Sequence, residues 1–286
     1  MKKVFFYLTP FLLLFTFIIF NTNSNIKEDK FIKKYHLDQN LFNSEYSYIA
    51  HAGGGINGQT YTNSKEAVLN SIKNNFKLIE LDLLNTIDDR IIAYHDWNSL
   101  SELCSLDRKI IETLNFSEIK KCDYSINGKS YTFMDDILIN QIFSENKELI
   151  LVTDKITDIS LIKKKFVFQD RIIIETWGIL NYLRAKFYNI GIPMYNFTVG
   201  RRNDWYVKLF NIKIIATSAD NIIRYENLFA KYIKEGKIIF AYSSNDKKFN
   251  KEHLGFNASA VYTDFWNIKN GECTMQEIRP DVCQIY

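Results

Sequence analysis

His51, the alternating run Ile79-Glu80-Leu81-Asp82 and the triplet Tyr94-His95-Asp96 are the residues of this chain best suited to chemistry. The chain holds only four histidines, and two of them lie in this stretch. His51 closes the apolar run Tyr48-Ile49-Ala50, and His95 closes Ile91-Ile92-Ala93-Tyr94. On a strand, side chains alternate with a period of two, so Glu80 and Asp82 project from one face. Two carboxylates on one face repel unless a cation lies between them. Hard oxygen ligands suit Mg2+ or Ca2+ rather than zinc. Two imidazoles beside such a cation are an acid and a base fit for hydrolysis near neutral pH. A lone Glu-x-Asp is usually a solvated face and a lone strand-end His is usually structural; the combination argues for a site.

The elements that would position these residues recur along the chain. Eight apolar, strand-like runs cover residues 46–52, 77–84, 148–155, 171–177, 192–198, 212–219, 237–244 and 258–265. Amphipathic stretches separate them, among them residues 64–75, 159–166, 178–188 and 222–235. Strands alternating with helices indicate a parallel sheet, and eight repeats indicate an α/β fold of the (β/α)8 TIM type. A doubly wound sheet is the alternative, but no glycine-rich dinucleotide fingerprint is present. In such barrels the active residues lie at the C-terminal strand ends. His51, Glu80, Asp82, Asp154, Glu175, Asn196, Thr217 and Asp264 all fall there. Asp88-Asp89 is a turn signal, so Arg90–His95 is expected to fold back as a hairpin that carries His95 over the barrel mouth. A small insertion, about residues 97–135, precedes the third barrel strand. Residues 46–286 read as one catalytic domain.

With 286 residues, 47% of them hydrophobic, the chain is able to bury a full core. A net charge of +3 is too small to argue for a nucleic-acid partner. Met1-Lys2-Lys3 precedes an apolar run from Val4 to Phe20, the pattern of a signal anchor or signal peptide within residues 1–25. No small-x-small cleavage motif follows, which favours an uncleaved membrane anchor with the catalytic region on the extracytoplasmic side. A cleaved signal would make the protein secreted or periplasmic. Residues 26–45 read as a polar stalk with a short helix near Lys30–Tyr35. Cys104, Cys122, Cys273 and Cys283 lack zinc-like spacing. In an exported protein an even count suggests disulfides, and of the three pairings the two local ones, Cys104–Cys122 and Cys273–Cys283, are expected.

The stretch from Ile49 to Asp96 resembles the N-terminal signature of the glycerophosphodiester phosphodiesterase family. That family has a strand ending in His-Arg-Gly, an Asn-Thr/Ser-x-Glu-Ala helix start, Glu-x-Asp, and a hairpin ending in His-Asp. The counterparts are His51-Ala52-Gly53, Asn63-Ser64-Lys65-Glu66-Ala67, Glu80-Leu81-Asp82 and His95-Asp96. Residues 240–246 and 261–264 are similar to its last two strands, so the resemblance covers roughly Ser47 to Trp266. It implies a metal-dependent phosphodiesterase with His51 and His95 as acid and base, and Glu80 and Asp82 on a divalent cation, Mg2+ or Ca2+.

The family usually has Glu-x-Lys at the end of the third strand, where this chain has Asp154-Lys155, one residue out of step. On an ideal strand these two point to opposite faces, so both reach the site only if the strand bulges. Asp154 is taken as the third metal ligand, Glu175 as the reserve, and Lys155 as the group that holds the substrate phosphate. Alternatively, Asp154-Lys155 is a plain surface strand end. Ala52 stands where the family usually has Arg, and Thr62 where it often has an acid, departures that bear on substrate grip. The run Gly53-Gly54-Gly55-Ile56-Asn57-Gly58 is either a phosphate-binding loop or a plain turn. Expected substrates are glycerophosphodiesters, lysophospholipids or phosphodiester-linked surface glycans. The alternatives are a phospholipase D-like lyase that forms a cyclic phosphate, and a non-catalytic barrel that binds a phosphorylated glycan.

Overall fold

The computed structural model describes residues 23–37, 46–105 and 114–285. Each of the eight apolar runs forms a strand: β1 (Tyr48–Ala50), β2 (Leu78–Asn85), β4 (Ile150–Asp154), β5 (Ile172–Trp177), β6 (Ile192–Asn196), β7 (Ile214–Ser218), β8 (Ile238–Tyr242) and β9 (Ala260–Thr263), with β3 (Ile91–Ala93) forming the hairpin. These eight pair in parallel, and β1 bonds to both β2 and β9, which closes the barrel. The (β/α)8 expectation holds.

Alternation decides what each strand places inside. Ile49, Leu78, Ile150, Ile173, Ile192, Ile214, Ile238 and Ala260 fill the lower interior. One step up lie Val152, Met194, Ala216, Phe240 and Tyr262. The intervening positions, such as Ile79, Leu81, Leu151, Ile172 and Ile174, face the surrounding helices. The strands are therefore apolar on both faces, as a helix-covered parallel sheet requires.

The hairpin forms as expected. β3 runs antiparallel to the end of β2, with Leu83 opposite Ala93. Asp89 takes a left-handed conformation (φ 57°) in the connecting turn. Tyr94 N–H donates to the Asp82 carbonyl at 2.9 Å, which anchors His95 directly above the carboxylate strand. The insertion packs on its own small core around Leu84, Ile92, Leu100, Leu114 and Ile119. Cys104–Cys122 staples it, and Cys273–Cys283 staples the C-terminal segment beneath Phe265.

The expected stalk is corrected. Residues 23–34 are helical. Phe31, Ile32, Tyr35 and Leu37 are buried against the lower interior layer. An open lower mouth would expose the strand starts to water, and these four side chains close it. Glu28 and Lys186 form an ion pair at 3.1 Å in which both side chains are buried. Lys27 and Lys213 add polar ties to Asn189 and Asp29. Residues 1–22, which include the apolar run expected to be an anchor, lie outside the described residues. Among those described, no helix is long and apolar enough to cross a membrane.

Lys186→Ala would leave the Glu28 carboxylate buried and uncompensated. We expect a loss of about 3–5 kcal/mol in urea unfolding, and a smaller loss when Glu28→Leu is added. Equal loss in both variants would remove the ion pair from the account of the floor.

Candidate active site

The same inward positions that are apolar below turn polar at the upper ends of the strands. β2 continues from Leu78 to Glu80 and Asp82, and β4 from Ile150 and Val152 to Asp154. Parallel register sets Asp82 opposite Asp154. One carboxylate oxygen from each of Glu80, Asp82 and Asp154 lies within 4.8 Å of the others. Glu80 accepts the Ala52 N–H at 2.6 Å. Asn63 donates its amide to Asp82 Oδ2 at 2.9 Å and accepts the Asp82 N–H at 3.0 Å. Asp154 Oδ1 is buried without a hydrogen-bond partner. Burial pushes the Glu80 carboxyl well above its usual range, and Asp82 and Asp154 add repulsion. Burial, then Asp82 and Glu175, do the same to Asp154. Three buried oxygen donors, one of them unpartnered, fit a hard divalent cation.

The one-residue offset at Asp154-Lys155 is resolved by backbone conformation rather than by a bulge. Lys155 is left-handed (φ 58°), and Ile156 N–H returns to the Asp154 carbonyl at 2.6 Å. The turn swings the Lys155 ammonium back over the mouth. It lies 3.3 Å from Asp82 Oδ1, 4.0 Å from Asp154 Oδ2 and 3.4 Å from His95 Nε2. Asp154-Lys155 is thus part of the site and not a plain strand end. Glu175 is held elsewhere: Asn196 donates to it at 2.5 Å and the Tyr262 hydroxyl at 3.3 Å. It lines the cavity but stands outside the three-carboxylate group.

Each imidazole has a carboxylate behind it. His51 Nδ1 lies 3.3 Å from Asp264 Oδ1, whose side chain is fully buried. Burial acts to lower the His51 pKa, but Asp264 and then Asp82 outweigh it and hold it above the ordinary value. His95 Nδ1 lies 2.9 Å from Asp96 Oδ2. Asp96 also caps the helix Trp97–Leu103, accepting from Ser99 N–H at 2.9 Å and Ser99 Oγ at 2.7 Å. Together with His95, these bonds outweigh burial and hold the Asp96 carboxyl well below the usual range. Tyr61 sits between the imidazoles, edge-on to both, with ring centroids 4.5 Å from His51 and 5.0 Å from His95.

The glycine run is a turn. Gly54 N–H donates to His51 O and Gly55 N–H to Asp264 O, both at 2.7 Å, while Ile56 N–H donates to Gln59 O at 3.0 Å. A Cβ on Gly55 would fall 2.2 Å from the Phe265 ring, so only glycine allows this close approach. Ala52 is fully buried with φ 47°, and its N–H serves Glu80. Thr62 bonds Ser64 at 2.9 Å and its carbonyl accepts the Tyr124 hydroxyl. Thr217 faces outward, donating to Phe197 O at 3.1 Å, and does not belong to the site. Sequence reasoning placed Asp264 at a strand end but assigned it no role, and it passed over Tyr61. Its place at a strand end was the signal for Asp264; nothing in the local sequence marked Tyr61.

His51, the three carboxylates, His95, Lys155 and Tyr61 line one cavity of about 140 Å3 at the upper mouth. The fold is a (β/α)8 barrel whose upper mouth gathers two histidines and three carboxylates. The glycerophosphoryl diester phosphodiesterase family model matches residues 51–268, and the chain belongs to that family. It is a phosphoric diester hydrolase, which sets aside the non-catalytic reading. A search of curated protein sequences returns no significant match. Among solved structures, an Oleispira antarctica phosphodiesterase in complex with its product sn-glycerol-3-phosphate is similar at TM-score 0.62 and 13% identity, covering 79% of this chain and 96% of that one. A glycerophosphodiester phosphodiesterase from Parabacteroides distasonis is similar at TM-score 0.62 and 12% identity, covering 79% and 95%. One from Thermotoga maritima reaches TM-score 0.57 and 19% identity, covering 79% and 96%.

A raised carboxyl pKa in the folded state destabilises the metal-free protein as pH rises through it. Glu80→Gln should therefore raise the melting temperature of chelator-treated protein at neutral pH. The same change, and Asp82→Asn, should abolish the rise that Mg2+ or Ca2+ gives to the parent chain. Asp154→Asn should weaken cation binding more than Glu175→Gln. Calorimetric titration in buffers of different ionisation enthalpy should also detect proton release on binding. Unchanged cation affinity in Glu80→Gln and Asp82→Asn would remove the metal site.

Proposed function

We propose that the chain hydrolyses a glycerophosphodiester, or a related lipid or glycan phosphodiester. A divalent cation would be held by Glu80, Asp82 and Asp154, with His51 and His95 as acid and base. The observation that carries this reading is a pair of imidazoles, each backed by its own carboxylate, on either side of Tyr61 and next to Lys155 and three clustered carboxylates. The bound cation would neutralise charge developing on the phosphate oxygens.

The protein's own groups do the rest. Lys155 holds a phosphate oxygen as a point charge. Asp96 fixes the proton of His95 on Nδ1, so Nε2 takes a proton from the attacking water once Lys155, 3.4 Å from it, turns to the phosphate. His51, whose charged form Asp264 favours, donates to the leaving oxygen as its bond to phosphorus breaks. The products are a phosphomonoester and a free alcohol. Asp264 suits this role because it lies outside the carboxylate group that a cation would neutralise.

We further propose that the enzyme works on the extracytoplasmic side, held by Val4–Phe20. The basic start, the apolar run and the two disulfides support this. In sequence the run ends at Phe20, close to the described helical residues 23–34. A tether in that run would lie next in sequence to the segment that packs at the lower end of the barrel, away from the site. Substrate would then reach the mouth from the side away from the tethering bilayer.

His51→Ala and His95→Ala should each lower turnover by roughly two to four orders of magnitude. Phosphorus NMR of the products should give a monoester. A cyclic diester would mean that a substrate hydroxyl attacks instead of water, the lyase reading, and no turnover of any diester would defeat the proposal. Asp264→Asn removes the group that raises the His51 pKa. The alkaline limb of kcat/KM should then fall at lower pH than in the parent, and an unmoved limb would take the acid role from His51.

A further inference from the structure

The cavity of about 140 Å3 is small for anything beyond a phosphate and a short alcohol. A second cavity, of about 350 Å3, opens beside it between the loop after β4 and the helix Ile179–Tyr188. Lys155, Glu175 and Trp177 line both, so the two spaces adjoin. The floor of the second is apolar, from Ile159 and Ile174. Trp177 stands 58% exposed on its rim, free to offer an indole face. Arg184 lines it, is exposed, and has no ion-pair partner among the described residues. Asn181 donates its amide to Trp177 O at 3.0 Å, which leaves its side-chain oxygen available to a hydroxyl.

The structure assigns this groove to the part of the substrate beyond the scissile phosphate. Its ligand is a polyol that carries a second anionic group. The guanidinium pairs with that anion, the indole packs on the C–H face of the polyol, and Asn181 accepts from a hydroxyl. Polymers of alternating polyol and phosphate have this chemistry, whereas a zwitterionic headgroup alone does not. The assignment rests on the phosphodiesterase reading and names its substrate class.

Calorimetry on the full chain in detergent tests it, with a His51→Ala background to prevent turnover. Two probes are compared: glycerophosphoglycerol, with one phosphate, and the glycerol–phosphate oligomer that adds a second, terminal phosphate. The oligomer should bind roughly three- to tenfold more tightly. Arg184→Ala should erase that difference and leave glycerophosphoglycerol binding unchanged, which also shows that the variant folds. Arg184→Lys should keep part of it. An advantage that survives Arg184→Ala, an equal loss for both probes, or no advantage in the Arg184 protein would each overturn the assignment. Hydrolysis of glycerophosphoglycerol by the parent chain is scored separately, so a failure of the catalytic reading is not mistaken for a failure of the groove.

Discussion

Three carboxylates crowded inside a closed barrel are the constraint around which the upper half of this protein is organised. Glu80, Asp82 and Asp154 repel one another at such separations unless a cation lies between them. The fold supplies partial relief through the Ala52 N–H, the Asn63 amide and the Lys155 ammonium. It does not supply enough, since Glu80 and Asp154 stay well above their ordinary pKa and one Asp154 oxygen is left without a partner. Folding energy from elsewhere has to hold the group together. The parallel sheet does this, buried on both faces and closed at β1, β2 and β9.

The two ends of the barrel solve opposite problems. Below, apolar strand starts need to be kept from water, and the helix of residues 23–34 covers them with Phe31, Ile32, Tyr35 and Leu37. Above, charged strand ends need to stay open to substrate. The hairpin and the insertion frame that opening, and Asp96 links them by bonding His95 while capping the helix Trp97–Leu103. One carboxylate thus serves a helix terminus and an imidazole together. The stapled insertion behind it limits how far that helix is free to move.

The histidines are arranged asymmetrically. His51 is almost enclosed and faces a buried carboxylate, whereas His95 is half exposed and faces one anchored at a helix start. Burial and neighbours therefore differ between the two rings, although both residues are histidine. Tyr61 stands between the two rings, edge-on to both.

The sequence by itself determined the strand count, the shared face of Glu80 and Asp82, the hairpin, the two local disulfide pairs and the grouping of His51, Glu80, Asp82 and His95. These depend on alternation and on short chain separations, which a linear reading captures. Only the tertiary structure decided that Asp154 and Lys155 share one mouth, because a single left-handed residue reverses the side on which Lys155 emerges. It also decided that Glu175 is committed to Asn196 and Tyr262, that Gly54, Gly55 and Ile56 spend their N–H groups on carbonyls, and that Asp264 backs His51. The supposed stalk became a floor for the same reason. Phe31 and Ile32 are too few to stand out among charged neighbours, and their partners are strand starts far along the chain. Contacts between residues distant in sequence follow from barrel closure, and no local pattern encodes which strand end will meet which.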